Sequence, residues 1–255
     1  MTSLSVPTQT VATSPAGVQQ ATGLGAPSPR PVGSAAPVRD LRRSVWPYAG
    51  LAAGVFGAVG TMFLNAAYPT EEATKGGLET VYAALGSATT TRIGSAVGFL
   101  SVYALLVFTV GYVRHLRRKA PEGSALPTLV QLAMTAGAGA LFIGFGTKAA
   151  AAGGLEGGID AAFYTHADTV VINTLANQIQ WVGWQGVAVA MAATVVAALR
   201  MRIVPLWIGI VGALFTLFVF AFTMVLALPY SAGVVAPLFL VLLGIALLTS
   251  KAARR

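Results

Sequence analysis

Cysteine is absent from all 255 residues, which excludes disulfides, thiolate metal ligands and cysteine redox chemistry in any compartment. Histidine occurs only twice, at His115 and His166, and no two histidines stand at helical spacing, so an imidazole-based metal centre has no ligand set. Charge is equally scarce. Asp, Glu, Lys and Arg make up 9% of the chain, against roughly 25% in soluble domains. Too few charges remain to cover a water-facing surface. No G-x-S-x-G elbow is present, since residues 94–98 read GSAVG with the serine one place early. The glycines from Gly137 to Gly146 are followed by Thr147 and Lys148 and lack the G-K-[ST] order of a phosphate loop. No cofactor or metal is expected, and the reading is of a protein that is not an enzyme.

What the chain does have is apolar sequence: 56% hydrophobic residues and a mean hydropathy of +0.75. Six long runs predict transmembrane helices at 46–67, 93–113, 128–147, 178–199, 204–227 and 233–249. Each must be helical, because backbone groups in hydrocarbon have no water to bond. The last run is the shortest and contains Pro237. The expected fold is an all-α integral membrane protein, a six-helix bundle spanning residues 45–255.

Residues 1–44 differ sharply from the rest. Ser, Thr, Pro, Gly and Ala supply 27 of these 44 positions, and no aromatic residue precedes Trp46. Such a segment buries too little apolar surface to offset the entropy of ordering it, so a disordered tail is expected. It lacks the basic start of a cleaved signal peptide, which makes the run from Val45 an uncleaved signal anchor.

The net charge of +8 is topological rather than a footprint for nucleic acid, which is not an expected partner. With the N-terminus inside, 13 of the 16 basic residues fall on inner segments, among them Arg114, Arg117, Arg118, Lys119, Arg200 and Arg202. The outer connections hold only Lys75, Arg92 and Lys148, with six of the eight acids. Both termini are therefore expected in the cytoplasm, and the inner basic loops are expected to meet anionic lipid.

The two outer connections carry more pattern than the inner ones. In the first, Leu78, Val81, Tyr82 and Leu85 form an i, i+3, i+4, i+7 stripe that predicts a short amphipathic helix. In the second, a helical pattern runs from Asp160 towards the fourth span, predicting a helical extension outside the bilayer. Gly-Gly-Leu-Glu occurs at 76–79 and again at 153–156, an offset of 77 residues. That offset nearly superposes the first hairpin on the second and is compatible with either duplication or chance. Gly50 with Gly54, and Gly94 with Gly98, are G-x-x-x-G pairs that let helices approach closely, within one bundle or between two copies in a homo-oligomer.

No acidic, basic or imidazole side chain lies inside a predicted span, and Lys148 stands at the outer border of the third, which argues against a proton-driven pump. One polar constellation stands out. Asn173, Asn177, Gln180 and Trp184 recur at i, i+4, i+7 and i+11 on the fourth helix, and Gln178, Trp181 and Gln185 form an adjacent stripe. Amides donate and accept, and indole offers an apolar face with one donor. With Asn65, Lys148 and His166 these residues form a candidate outward-facing pocket for a neutral polar ligand. The same residues could instead bond across helices, with the tryptophans in an interfacial belt.

The passage from Asn173 to Leu199, then Arg200, Arg202 and Val204-Pro205-Leu206-Trp207-Ile208-Gly209, resembles the later half of multi-span membrane proteins common in high-GC bacteria. Those proteins place a P-x-W-[LI]-G turn at the start of their penultimate helix. The resemblance covers the last third of the chain. It implies a bacterial inner membrane and assigns no reaction or functional residue. Three readings follow: a non-catalytic accessory or scaffold component with a membrane-protein partner, which is preferred; a permease or binding protein for a neutral or amphipathic molecule; and a lipid-acting enzyme using Glu156, Asp160, His166 and Asp168. The last lacks catalytic spacing.

Overall fold

A computed structural model describes residues 45–64 and 70–250. The tail expected over residues 1–44, and Asn65, lie outside the described residues. What is described is helical, with no strand among the described residues. In chain order, α1 covers Val45–Ala58 and continues as a π segment over Val59–Phe63. Two short helices follow, α2 at Glu71–Lys75 and α3 at Leu78–Ala83. The long helices are α4 at Ala88–Lys119, α5 at Leu126–Gly154, and α6 at His166–Gly183 running into α7 at Gln185–Leu199. Then come α8 at Leu206–Phe220, ending in a π segment over Ala221–Val225, and α9 at Ser231–Thr249. Counting α6 and α7 together, six helical rods are long and apolar enough to cross a membrane.

Local chemistry accounts for where the rods start and stop. Ser87 caps α4 by accepting from the Thr90 backbone, and Pro127 stands in the first turn of α5, where its missing N–H removes no helical bond. Thr165 and Asp168 form a reciprocal capping box that starts α6 at His166. The helical pattern from Asp160 thus resolves into turns before that cap, because Thr165 satisfies backbone donors there and an earlier start would forfeit the box. The third rod runs past 147 to Gly154, since its Ala- and Gly-rich end contains no breaker. Pro237 is accommodated inside α9 without ending it.

The rods close around one core. α1 packs between α4 and α9, α5 between α4 and the α6–α7 rod, and that rod reaches back to α9. α8 is the least enclosed rod, held by α7 and α9: 22% of an 18-residue apolar stretch of it is buried, against 56% for the α6–α7 rod and 61% for α9. The glycine pairs work within this single chain. A Cβ on Gly98 would strike the Phe145 ring and one on Gly50 the Phe108 ring, so each glycine is the hole for an aromatic knob on a neighbouring rod. Gly137 of α5 and Gly186 of α7 bring two backbones together. Hydroxyls then tie rods to one another: Ser101 donates to the Ala53 carbonyl at 2.7 Å, Ser95 to the Phe145 carbonyl at 2.7 Å, and Tyr112 to Thr194 at 3.0 Å.

Candidate functional site

The polar face of the fourth rod turns inward. Asn173 and Asn177 are each 2% exposed, Gln180 is fully buried, and Gln180 donates to Asn177 Oδ1 at 3.2 Å. The backbone of Gln180 sits against Gly144 of α5, where a Cβ would lie 2.8 Å from the Gln180 Cα. Gln180 therefore sits at the α5–α6 contact, with Asn173 and Asn177 buried on the same rod. Trp184 is also fully buried, at the junction where α6 gives way to α7. Its indole lies over Gly57 and donates to Thr61 Oγ1 at 3.1 Å, joining the junction to the π segment of the first rod. Gln185 reaches the other way, donating to Thr223 Oγ1 at 3.1 Å and to the Pro229 carbonyl at 2.7 Å.

Lys148 is 1% exposed and lies inside α5 rather than at a helix border. Its ammonium donates to the Gly60 carbonyl at 2.8 Å and to the Leu64 carbonyl. Both acceptors belong to the end of the first rod, where unsatisfied carbonyls and the negative end of the helix dipole favour a cation. Gly94 of α4 leaves the space this ammonium occupies, since a Cβ there would meet Lys148 Nζ at 2.8 Å. Lys148 acts as a C-cap supplied by a neighbouring helix.

His166 stands apart from the buried amides, in the cap formed by the two long connections. Its ring stacks on Tyr82, with centroids 3.8 Å apart, and Nδ1 lies 2.7 Å from Glu79 Oε2. Tyr82 in turn donates to the Gly154 carbonyl at 3.2 Å, so α3 is anchored to the end of α5 and the start of α6. Of the stripe in this connection, Leu85 is buried beside Leu155, while Leu78 is exposed.

A cavity of about 440 Å³ opens on the neighbouring face, between the start of α9, the end of α8 and α6. Phe218, Phe222, Leu228 and Val234 give it an apolar wall; Gln178, Trp181, Tyr230 and Ser231 complete it. Trp181 Nε1 and Ser231 Oγ are both buried and have no hydrogen-bond partner among the described residues. A buried donor left in that state costs about 1–3 kcal/mol. Of the described residues singled out by sequence pattern as a candidate pocket, Trp181 alone lines this cavity, with Gln178 of its stripe. The pattern missed Phe218, Phe222 and Ser231, which come from two other helices; a hydroxyl at the head of an otherwise apolar span was the available signal. No family model, curated protein or solved structure matches this chain.

Proposed function

We propose that this protein is a non-catalytic, multi-pass component of a bacterial plasma membrane, an accessory or scaffold subunit with both termini in the cytoplasm. The observation that carries this reading is the closure of the amide face. Asn173, Asn177, Gln180 and Trp184 are all buried within the bundle, Gln180 bonding Asn177 and Trp184 bonding Thr61 of the first rod. A permease working through these amides would need them accessible. The bias of basic residues to one set of connections supports the orientation, and the P-x-W-[LI]-G turn at Pro205–Gly209 supports the bacterial membrane. In this reading the cap built from Glu79, Tyr82 and His166 is the surface offered to a membrane-protein partner on the outer side.

The test is the pair Asn177→Leu and Gln180→Leu, made together. Both side chains are buried and Gln180 packs closely on Gly144 of α5, so leucines of different shape should strain that contact by about 1–3 kcal/mol, and the double variant should melt earlier in detergent and give less monodisperse protein on size exclusion. A variant that folds as well as the parent but loses uptake or binding of a neutral solute would move the assignment to the permease.

A further inference from the structure

We infer that residues 78–85 are a hinged strap that gates solvent access to the head of the buried polar face of α6, a conformational device that lies beyond the scaffold reading and holds whatever meets the cap. The hinges are in the backbone. Gly77 and Gly86 bracket the segment, both at φ +88°, in the left-handed region that other residues rarely adopt. A Cβ at either would meet nothing within 4 Å, whereas Gly50, Gly98 and Gly137 leave room for a neighbouring rod. These two glycines are turning points rather than packing sites, and rotation at them swings what lies between.

The fastening is light. α3 is six residues long and buries none of them, and so short a helix does not hold itself in water. Its docked face holds it: Glu79 on His166, Tyr82 stacked on the same ring and donating to the Gly154 carbonyl, and Leu85, just past the helix, buried with Leu155 and Ala88. The ion pair is open to solvent and worth little on its own. Each rod, by contrast, packs against at least two others. The strap therefore belongs to the parts of the molecule that open at a lower free energy than the bundle unfolds.

What the strap covers gives its movement a consequence. The Gly154 carbonyl that accepts from Tyr82 also accepts from Thr169, which is fully buried. Thr169 heads a line of buried polar side chains on one face of α6, with Asn173, Asn177 and Gln180 following at i+4, i+8 and i+11. Closed, the strap supplies a donor and an apolar plug at that head. Open, it withdraws Tyr82 and Leu85, and leaves the Gly154 carbonyl, Leu155 and Thr169 to water or to a small neutral solute that can donate and accept.

The full chain, which carries no cysteine, is tested in detergent with single thiol reporters. Thr169→Cys puts a small thiol at the head of the polar face, and Ser101→Cys puts one inside the bundle, where Ser101 is fully buried and donates to the Ala53 carbonyl. Each is treated with methyl methanethiosulfonate, a small neutral reagent, and the adduct is followed by intact mass. Where closing outpaces reaction, the rate reports the open population. Thr169→Cys is expected to react faster than Ser101→Cys. Adding Glu79→Ala and Tyr82→Phe, neither of which breaks a helix, removes the ion pair and the hydrogen bond of α3. The pair should speed Thr169→Cys about tenfold and leave Ser101→Cys unchanged. Both reporters speeding up together would mean that the bundle opens as a whole, and a Thr169→Cys rate indifferent to the pair would mean that the segment gates nothing; either result overturns the strap. Should Thr169→Cys fold poorly, amide exchange of the cysteine-free chain decides. The same pair should then hasten exchange at residues 78–85 and 169 while α4 from Ser101 to Val113 stays unchanged, and an equal change in both regions, or none, overturns it.

Discussion

Gly94 and Gly139 both sit in helix interiors, where alanine has the better intrinsic propensity by about 0.5–1 kcal/mol. Their surroundings reverse the outcome at one of them. A Cβ at Gly94 would lie 2.1 Å from the Leu64 carbonyl oxygen and 2.8 Å from Lys148 Nζ, so Gly94→Ala must push apart the cap of the first rod. A Cβ at Gly139 would meet nothing within 4 Å. Gly139→Ala should therefore raise thermal stability in detergent slightly, while Gly94→Ala should lower it by about 1–3 kcal/mol, the usual cost of overpacking. Equal effects from the two substitutions would show that the close approach at Lys148 is not a feature of the folded protein. Lys148 also marks a limit of sequence reading at this scale. Hydropathy places a lysine at the edge of an apolar run by default, because no partner for it is visible along one chain. The partners here are two carbonyls of another helix, and main-chain acceptors leave no trace in side-chain pattern.

At the scale of elements, apolar length located all six rods, and the i, i+3, i+4 stripe from Leu78 fell on α3. The ends were less legible, because three of the rods extend into polar connections where hydropathy no longer reports helix. Capping chemistry reports it better. Thr165, three residues before Asp168, is the short signature that starts α6, with the Thr165 side chain accepting from the Asp168 backbone at 3.2 Å and Asp168 Oδ2 accepting from the Thr165 backbone at 3.1 Å. Thr165→Ala should cost about 1 kcal/mol and speed amide exchange in the first turn of α6, with α5 unchanged. Exchange that is indifferent to the substitution would mean that the stack of His166 on Tyr82, and not the cap, holds this end. The candidate pocket was half legible for a related reason. Spacing on one helix identified the buried amides and Trp181, but a cavity is walled by several helices, and Phe218, Phe222 and Ser231 share no register with α6.

For the whole molecule, the proposed six crossings would impose one constraint that no local contact supplies: an even number puts both ends on one side and sorts the connections into two sets. Glu122 lies between α4 and α5, and Glu156 lies between α5 and α6, so the two stand at opposite ends of the α5 rod and both are exposed. In the proposed orientation, which follows the bias of Lys and Arg, the Glu122 connection is expected inside and the Glu156 connection outside. Because the chain has no cysteine, single substitutions carry no background thiol. Glu156→Cys should react with a membrane-impermeant maleimide on intact spheroplasts, and Glu122→Cys should react only after the membrane is opened. The substitutions touch no buried group, so folding should be unaffected within about 0.5 kcal/mol. The reverse labelling pattern would invert the molecule, placing the cap of Glu79, Tyr82 and His166, and the mouth of the cavity between α6, α8 and α9, on the cytoplasmic side. Labelling of both sites from outside would mean that the α5 rod does not cross the membrane, and a six-span bundle could not then be the arrangement in the cell.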